Sequence, residues 1–224
     1  MFEAVFFDMD GLFIDSEPQW HEAEADLMKS FGYPWSAQDQ LHCLGGPLSR
    51  VGEYMSKCLN GSETAEKLAD LIVQEMIRRM SGDVALMPGA IEFSKSLYDL
   101  GLPQALVSAS PRPIVDAVLK GMKEKYFRES VAAGDIERTK PFPDPYLHAA
   151  ALLGVDIRNC LIFEDSPTGL TAARASGAFV VGIPHHVVVE EEPRLKVVKS
   201  FLEIGKKQLD GWFAINQRER GRSL

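Results

Sequence analysis

Runs of consecutive apolar residues alternate along most of the chain with segments in which apolar residues recur every three or four positions. The first pattern predicts buried strands, and the second predicts amphipathic helices. The strand-like runs lie at residues 4–7, 105–107, 130–133, 160–163 and 179–183. Because strands and helices alternate, the pattern indicates an α/β fold.

The alternation is interrupted after the first strand, where helical spacing continues without a convincing strand to about residue 82. An insertion at this point lies where a cover over an active site would be placed. We therefore predict a catalytic core formed by residues 1–16 and 84–224, and a small α-helical cap domain formed by residues 17–83.

Turn and cap residues divide the helical stretch further. Helices are predicted at residues 37–44 and 48–59, on either side of the break at 45–47, and Ser62 is predicted to cap a longer helix. At the other end of the chain, the polar residues 217–224 are predicted to be frayed.

Two carboxylates end the first strand. Asp8 and Asp10 are one residue apart, and side chains at alternate strand positions point the same way. Gly11 lets the chain bend sharply away behind them. This arrangement suits a nucleophile and a proton-transfer group that serve one substrate; the alternative is a surface turn, in which Asp and Gly are common.

The second strand runs into two serines. Ser110 can cap a helix whose first position is Pro111, and helix N-termini bind phosphate through their free N–H groups and positive dipole end. Ser108 would then lie where it could hold a phosphate oxygen. An ordinary helix start explains the same pattern equally well.

Lys140 follows the third strand in a loop with three prolines at positions 141, 143 and 145. Prolines fix the backbone and block helix formation, so the lysine is presented from a stiff loop. Its ammonium could act as a point charge on a phosphate. The alternative is a solvated surface lysine.

A pair of acidic residues, Glu164 and Asp165, ends the fourth strand. Adjacent carboxylates repel each other unless they share a cation or a proton. Mg²⁺ prefers oxygen ligands and usually takes one or two carboxylates together with water and phosphate oxygens. Asp165, opposite Asp8, would supply that set; the alternative is a capped turn between a strand and a helix.

Composition restricts the classes of partner. The chain has 224 residues, 46% of them hydrophobic, which is enough for one large core with an insertion. A net charge of −8 argues against nucleic acid and anionic membranes as partners. Three cysteines without metal-ligand spacing fit a reduced compartment, and no apolar run approaches the ~20 residues that span a bilayer. We expect a soluble, cytoplasmic protein, by default a monomer.

The candidate residues suit one reaction. Each lies at or just after the carboxyl end of a predicted strand, where open α/β sheets bind ligands. Asp8 would attack phosphorus to give an aspartyl-phosphate. Asp10 would protonate the leaving alcohol and later deprotonate the hydrolytic water. Mg²⁺, Lys140, Ser108 and backbone N–H groups would offset the charge on the phosphoryl oxygens.

Four motifs resemble those of the haloacid dehalogenase-like (HAD) superfamily of phosphotransferases. They are Asp8-Met9-Asp10-Gly11, Ser108-Ala109-Ser110, Lys140-Pro141 with Pro143-Asp144, and Glu164-Asp165-Ser166. The resemblance implies a Rossmann-like parallel sheet, with a cap similar to that of the β-phosphoglucomutase and sugar-phosphatase branch. A second aspartate at Asp10 favours phosphate-ester chemistry over dehalogenation or phosphonate hydrolysis.

The resemblance also implies a role for each matching residue. It assigns the nucleophile to Asp8 and the acid/base to Asp10. It places three residues on the phosphate: Ser108, Ala109 and Lys140. It implies that Mg²⁺ is held by the side chains of Asp8 and Asp165 and the carbonyl oxygen of Asp10, with Glu164 in support through water.

Residues in the cap and after the second strand favour a phosphatase over a mutase within this branch. Residues 15–20 are similar to hexose-phosphate phosphatases of the 2-deoxyglucose-6-phosphate type. In β-phosphoglucomutase a histidine falls at the place of Trp20, and a lysine falls at the place of Pro111. The nearest bases here are His21 and Arg112. Arg50 approximates the mutase's cap arginine but is offset by one position. Trp20, Arg50 and Ser110 are the candidate substrate contacts; the alternatives for the first two are a core aromatic and a solvated arginine.

We therefore predict a Mg²⁺-dependent phosphatase of small phosphorylated metabolites, sugar phosphates above all. The alternative in the same fold is a β-phosphoglucomutase-type hexose-phosphate mutase. Two alternatives come from other classes: a receiver-like phospho-aspartate module and a non-catalytic binding protein. Receivers are roughly half this size and have no cap, and this comparison is an analogy.

Overall fold

The computed structural model describes residues 1–43, 47–82, 84–185 and 187–222. The predicted break at Gly45 and Gly46 and the predicted end of the cap at Asp83 lie outside the described residues. The described residues form the strands β1 (Ala4–Asp8), β2 (Gln104–Pro111), β3 (Glu129–Ala133), β4 (Cys160–Glu164), β5 (Phe179–Gly182) and β6 (Leu195–Val197). They form the helices α1 (Glu17–Ser30), α2 (Ala37–Cys43), α3 (Leu48–Cys58), α4 (Ala65–Met80), α5 (Ala90–Asp99), α6 (Arg112–Gly121), α7 (Asp144–Leu153), α8 (Pro167–Ser176) and α9 (Lys206–Arg222).

The strands form one parallel sheet in the order β3-β2-β1-β4-β5-β6. This is the strand order of doubly wound Rossmann-like sheets, so the predicted fold class is confirmed. All five predicted strands are present. No pattern predicts the edge strand β6, because its three residues are too few to show one.

Packing on both faces of the sheet fixes the position of β1, all five of whose residues are buried. On one face, Phe6 belongs to an apolar cluster that includes residues of α7 and α8. On the other face, the ring of Phe7 contacts five phenylalanines at centroid distances of 5.3–6.2 Å: Phe13, Phe93, Phe127, Phe163 and Phe201. Burial on both faces is typical of parallel sheets, which helices cover on each side.

The chain divides into two compact units. One comprises Met1–Asp15, Ala85–Arg112 and Glu124–Leu224 and contains the whole sheet; the other comprises Ser16–Val84 and Pro113–Lys123. The predicted cap falls within the second unit, which also takes in most of α6. The domain boundaries at 16/17 and 83/84 stay a prediction.

The second unit has a core of its own. Its fully buried side chains include Met28, Met55, Leu68, Ile72 and Met76. A Cβ at Gly52 would lie 2.3 Å from the carbonyl oxygen of Ala65, so glycine allows α3 and α4 to approach closely. Arg79 on α4 donates hydrogen bonds of 2.7 Å to Glu22 and to Asp26 on α1.

Two predicted helix starts are wrong. Strand β2 continues to Pro111, which pairs with β3, so Ser110 is a strand residue and not a helix cap. The N-cap of α4 is Thr64 instead of Ser62, and its hydroxyl accepts a hydrogen bond from Lys67 N at 3.2 Å. In the first case, pairing with a distant strand overrides a local capping preference.

The predicted fraying of the tail is wrong as far as the described residues extend, because α9 continues to Arg222. Two of its side chains, Trp212 and Asn216, are buried. The Asn216 amide donates to the Arg158 carbonyl at 3.0 Å, which anchors the helix. Within the described ranges, no helix has both the length and the apolar character needed to cross a membrane.

Candidate active site

The carboxyl ends of β1, β2 and β4 meet where the strand order reverses. The chain runs from β1 through β2 to β3 and then returns to β4 on the other side of β1. Loops that leave adjacent strands in opposite directions open a crevice, which is the usual ligand site of such sheets. Asp8 ends β1, Glu164 ends β4, and Ser108 lies in the last half of β2.

Lys140 is the positive charge at the centre of this edge, and only 4% of its side chain is exposed. Its Nζ donates to Asp8 Oδ1 at 2.5 Å, to Glu164 Oε1 at 2.7 Å and to the Val107 carbonyl at 3.0 Å. Burial disfavours the charged ammonium, but the two carboxylates outweigh burial and raise the pKa of Lys140. The alternative of a solvated surface lysine is therefore wrong.

Three carboxylates share this small volume. Asp8, Glu164 and Asp165 each offer an oxygen, and these atoms lie within 4.8 Å of one another. Burial and, next, the charge of Glu164 raise the pKa of Asp8 well above its usual value, while Lys140 acts in the opposite direction. The same causes raise the pKa of Asp165 to about 7. Three carboxylates beside one ammonium leave an excess of negative charge that a cation would compensate.

The atoms around Asp165 fit a divalent cation. Asp165 Oδ1 is buried without a hydrogen-bond partner, and a carboxylate oxygen in that state calls for a cation or water. Gly11 brings the first loop against this carboxylate: it has a φ of +77°, and a Cβ there would lie 2.6 Å from Asp165 Oδ2. An all-oxygen donor set is the kind that Mg²⁺ and Ca²⁺ prefer.

Glu164 differs from its acidic neighbours because protein donors occupy both of its oxygens. Oε1 accepts from Lys140 Nζ and, at 2.5 Å, from the hydroxyl of Tyr146. Oε2 accepts from the backbone N–H of Asp165 at 3.2 Å and from the Ser166 hydroxyl at 3.4 Å. These bonds suit a residue that supports a metal site from behind better than one that binds the ion directly.

Two residues of this site, Tyr146 and Gly169, were not predicted from the sequence. Tyr146 is fully buried, and burial and the nearby charge of Glu164 raise the pKa of its hydroxyl, so the phenol remains a neutral donor. Gly169 faces the Glu164 carboxylate so closely that a Cβ would lie 1.9–2.0 Å from it. The sequence offers little signal for either residue: each lies in the first turn of a helix that follows a motif loop, Tyr146 in α7 and Gly169 in α8. A tyrosine or a glycine at such a position is too common to be singled out.

Asp10 is bound by serines of β2. Ser108 Oγ donates to Asp10 Oδ2 at 3.0 Å, and Ser110 Oγ donates to the same oxygen at 2.8 Å. Ala109, between them, is exposed. The structure therefore brings both predicted serines to the predicted acid/base residue, by strand geometry and not by a helix N-terminus.

The two predicted contacts in the cap belong to the second unit. Trp20 lies on α1 and Arg50 on α3. The guanidinium of Arg50 donates to the carbonyls of His42 at 3.1 Å and Cys43 at 3.5 Å, which are the last residues of α2. Arg50 therefore caps a helix within its own unit, and substrate contact by Trp20 and Arg50 stays a prediction.

Comparisons with known proteins agree with this arrangement. A family model described as haloacid dehalogenase-like hydrolase matches residues 5–183. Hexitol phosphatase B of Escherichia coli is 32% identical over 216 residues, covering 93% of this chain and 96% of that protein. The fructose-1-phosphate phosphatase YqaB of Escherichia coli is 27% identical over 183 residues, covering 81% of this chain and 96% of that protein.

A solved structure shows the same fold. It is that of a HAD hydrolase, family IA, variant 3, from Entamoeba histolytica, with a TM-score of 0.79 and 24% identity over 95% of this chain and 99% of that one. The family resemblance drawn from the four motifs is confirmed, and so is the predicted enzyme class, a phosphoric monoester hydrolase. The chain belongs to the haloacid dehalogenase-like hydrolase family.

Proposed function

We propose that the protein is a Mg²⁺-dependent phosphatase of small phosphorylated metabolites, foremost hexitol and sugar phosphates, and that it works through an aspartyl-phosphate on Asp8. The observation that carries the proposal is the meeting of Asp8, Lys140 and Asp165 at the carboxyl edge of the sheet, with Asp10 beside them. The names of the related phosphatases support the substrate class.

The residues divide the reaction into two steps. Lys140 holds Asp8 Oδ1, which orients the nucleophile and places a positive charge beside the phosphoryl oxygens. In the first step, Asp8 forms a bond to phosphorus while the bond from phosphorus to the ester oxygen breaks, and Asp10 gives that oxygen a proton. In the second, Asp10 takes a proton from a water that attacks phosphorus, and the bond to Asp8 breaks to release phosphate.

Mg²⁺ would be held by the carboxylates of Asp8 and Asp165 and the carbonyl oxygen of Asp10, with Glu164 in support. When bound, it supplies positive charge that offsets the negative charge of the phosphoryl group. The unpartnered Oδ1 of Asp165 and the excess negative charge of the site support this assignment.

One observation supports a phosphatase over a mutase. The resemblance implies a lysine in β-phosphoglucomutase at the place of Pro111, and Arg112 is the base next to that place in this chain. Its guanidinium donates to the Ser130 hydroxyl at 2.8 Å and to the Ser130 carbonyl at 3.1 Å, and it pairs with Asp135. These bonds tie the guanidinium of Arg112 to Ser130 on β3 and to Asp135 in the following loop. An arginine bound in this way is less suited to hold a second phosphate, which supports the phosphatase.

The test is phosphate release from a panel of hexitol, hexose, pentose and nucleotide monophosphates with Mg²⁺. We expect release from hexitol or hexose phosphates, with at least about a 1,000-fold loss in the Asp8→Asn variant and in EDTA. Asp99→Asn, which changes an exposed carboxylate on α5, is the matched control and should keep full activity.

Two outcomes would contradict the proposal. Activity that survives in Asp8→Asn would exclude the aspartyl-phosphate. Conversion of β-glucose 1-phosphate to the 6-phosphate, activated by a bisphosphate and without net phosphate release, would establish the mutase instead.

A further inference from the structure

The carboxylate of Asp10 is oriented by hydroxyls from another strand. Asp10 lies beyond the end of β1, so the hydrogen bonds between the strands do not fix the orientation of its side chain. Ser108 and Ser110 both donate to Asp10 Oδ2, at 3.0 and 2.8 Å. Both serines are nearly buried, with 2% and 9% of their surface exposed. Water therefore has little access to compete with either hydroxyl for Asp10.

The two hydroxyls have different surroundings. Ser108 Oγ also accepts a hydrogen bond from the backbone N–H of Ser110 at 2.9 Å. A hydroxyl has one proton to donate, so Ser108 cannot donate to Asp10 and to a phosphoryl oxygen at the same time. If Ser108 turns to the phosphate, Ser110 is left as the serine that donates to Asp10.

We propose that Ser110 is a positioning residue for proton transfer by Asp10, and not a substrate contact. This inference rests on the proposed function. The Ser110 hydroxyl holds Oδ2, so that Oδ1 exchanges the proton, first with the leaving-group oxygen and then with the attacking water. Ser110 keeps this bond when Ser108 is engaged with phosphate.

The test uses the dependence of the rate on the leaving group. A leaving alcohol of high pKa needs a proton from Asp10, whereas p-nitrophenolate leaves with little help. The value of kcat/KM reports only the steps up to departure of the leaving group. For Ser110→Ala with Mg²⁺, we expect kcat/KM to fall about 10-fold or more on sorbitol 6-phosphate and less than about 3-fold on p-nitrophenyl phosphate.

Two control variants isolate the hydroxyl. Ser110→Thr keeps a hydroxyl at this position and should retain kcat/KM within about 3-fold on both esters. Ser130→Ala removes a hydroxyl from the adjacent strand β3, where it accepts from Arg112, and should leave the ratio between the two esters unchanged. Thermal unfolding of each variant shows that it is folded.

Three results would overturn the inference. One is an equal fall on both esters in a folded Ser110→Ala variant, which would assign the serine to phosphate binding or to the fold. Another is no fall on either ester, and the third is a folded Ser110→Thr variant as impaired as Ser110→Ala. A wild-type protein that releases no phosphate from these two esters or from any ester of the panel is a separate result, which refutes the proposed function itself.

Discussion

The carboxylate of Glu164 is enclosed on every side by groups that the chain places against it. Lys140 and Tyr146 donate to one oxygen, the backbone N–H of Asp165 and the hydroxyl of Ser166 donate to the other, and Gly169 packs against the whole group. A carboxylate held in this way has little freedom to move. Glu164 therefore ties Lys140 to the backbone of Asp165, which fits the supporting role proposed for it.

At Gly169 the usual effect of alanine should be reversed. Alanine normally stabilises a helix by about 0.5–1 kcal/mol relative to glycine. In Gly169→Ala, the Cβ would overlap the Glu164 carboxylate, and we expect a loss of about 1–3 kcal/mol in the free energy of unfolding. Urea unfolding would measure it, with reduced phosphatase activity as a second readout.

Gly211→Ala provides the matched control. Gly211 is an exposed helical glycine on α9 with nothing within 4 Å of an added Cβ. This substitution should be neutral or stabilising. If Gly169→Ala proves as stable as Gly211→Ala, the close contact with Glu164 is wrong.

The Tyr146 hydroxyl should contribute measurably to stability. Tyr146→Phe removes a hydrogen bond to a charged group, for which losses of about 1.5–3 kcal/mol are typical. Lys140 still satisfies Glu164 Oε1 in this variant, so the lower end of that range is expected. Chemical denaturation would measure the change. Tyr98→Phe, which alters a tyrosine that is 56% exposed, should shift stability by no more than about 0.5 kcal/mol, and an equal effect of the two variants would contradict the assignment.

At the scale of elements, strand β2 is decisive for the site. Residues two apart on a strand point to the same face, so an extended backbone through Pro111 directs Ser108 and Ser110 to the same side. Both hydroxyls can then reach Asp10. A helix that started at Pro111 would have turned Ser110 away, and pairing of Pro111 with β3 prevents this.

The start of α4 allows a direct comparison of two hydroxyl residues. Thr64 has extended backbone angles and its hydroxyl caps Lys67 N, whereas Ser62 lies two residues before the cap. Thr64→Ala should therefore lower the free energy of unfolding by about 1 kcal/mol. Thermal or urea unfolding of the two single variants would test it. Ser62→Ala should have little effect, and a larger loss at Ser62 than at Thr64 would reinstate the cap predicted from the sequence.

At the scale of the whole molecule, an acidic chain must bind an anionic substrate. The net charge is −8, and the site itself contains more carboxylates than ammonium groups. Lys140 cannot by itself offset both the carboxylates and a phosphate. A divalent cation would therefore be needed for substrate binding as well as for catalysis.

This charge balance predicts a reversal in stability. Without metal, Asp165→Asn removes one of three crowded carboxylates and should raise the melting temperature. Mg²⁺ should stabilise the wild type by about 2.7 kcal/mol at 100 times its Kd, and the Asn variant much less. Thermal unfolding would test this: the variant should have the higher melting temperature in EDTA, and the wild type should have the higher one at saturating Mg²⁺. A wild type and a variant that respond equally to Mg²⁺ would exclude Asp165 from the metal site, and Asp99→Asn should behave as the wild type does.

Patterns within short stretches of sequence were enough to predict the five longer strands, the helical insertion and the motif residues that end the strands. Such patterns depend on residues a few positions apart: an apolar run, a glycine that permits a bend, a proline that blocks a helix. The four motifs, which together span most of the chain, were also enough to indicate the family. Hence Asp8, Lys140 and Asp165 could be singled out before their distances were known.

The tertiary structure alone decided which atoms meet. Ser110 became a partner of Asp10 because β2 extends to pair with β3, and Tyr146 and Gly169 became neighbours of Glu164 because α7 and α8 pack beside β4. These contacts join residues up to 100 positions apart in the chain. No local pattern encodes them, since they arise from strand order and from the packing of helices on the sheet, which depend on the whole core at once.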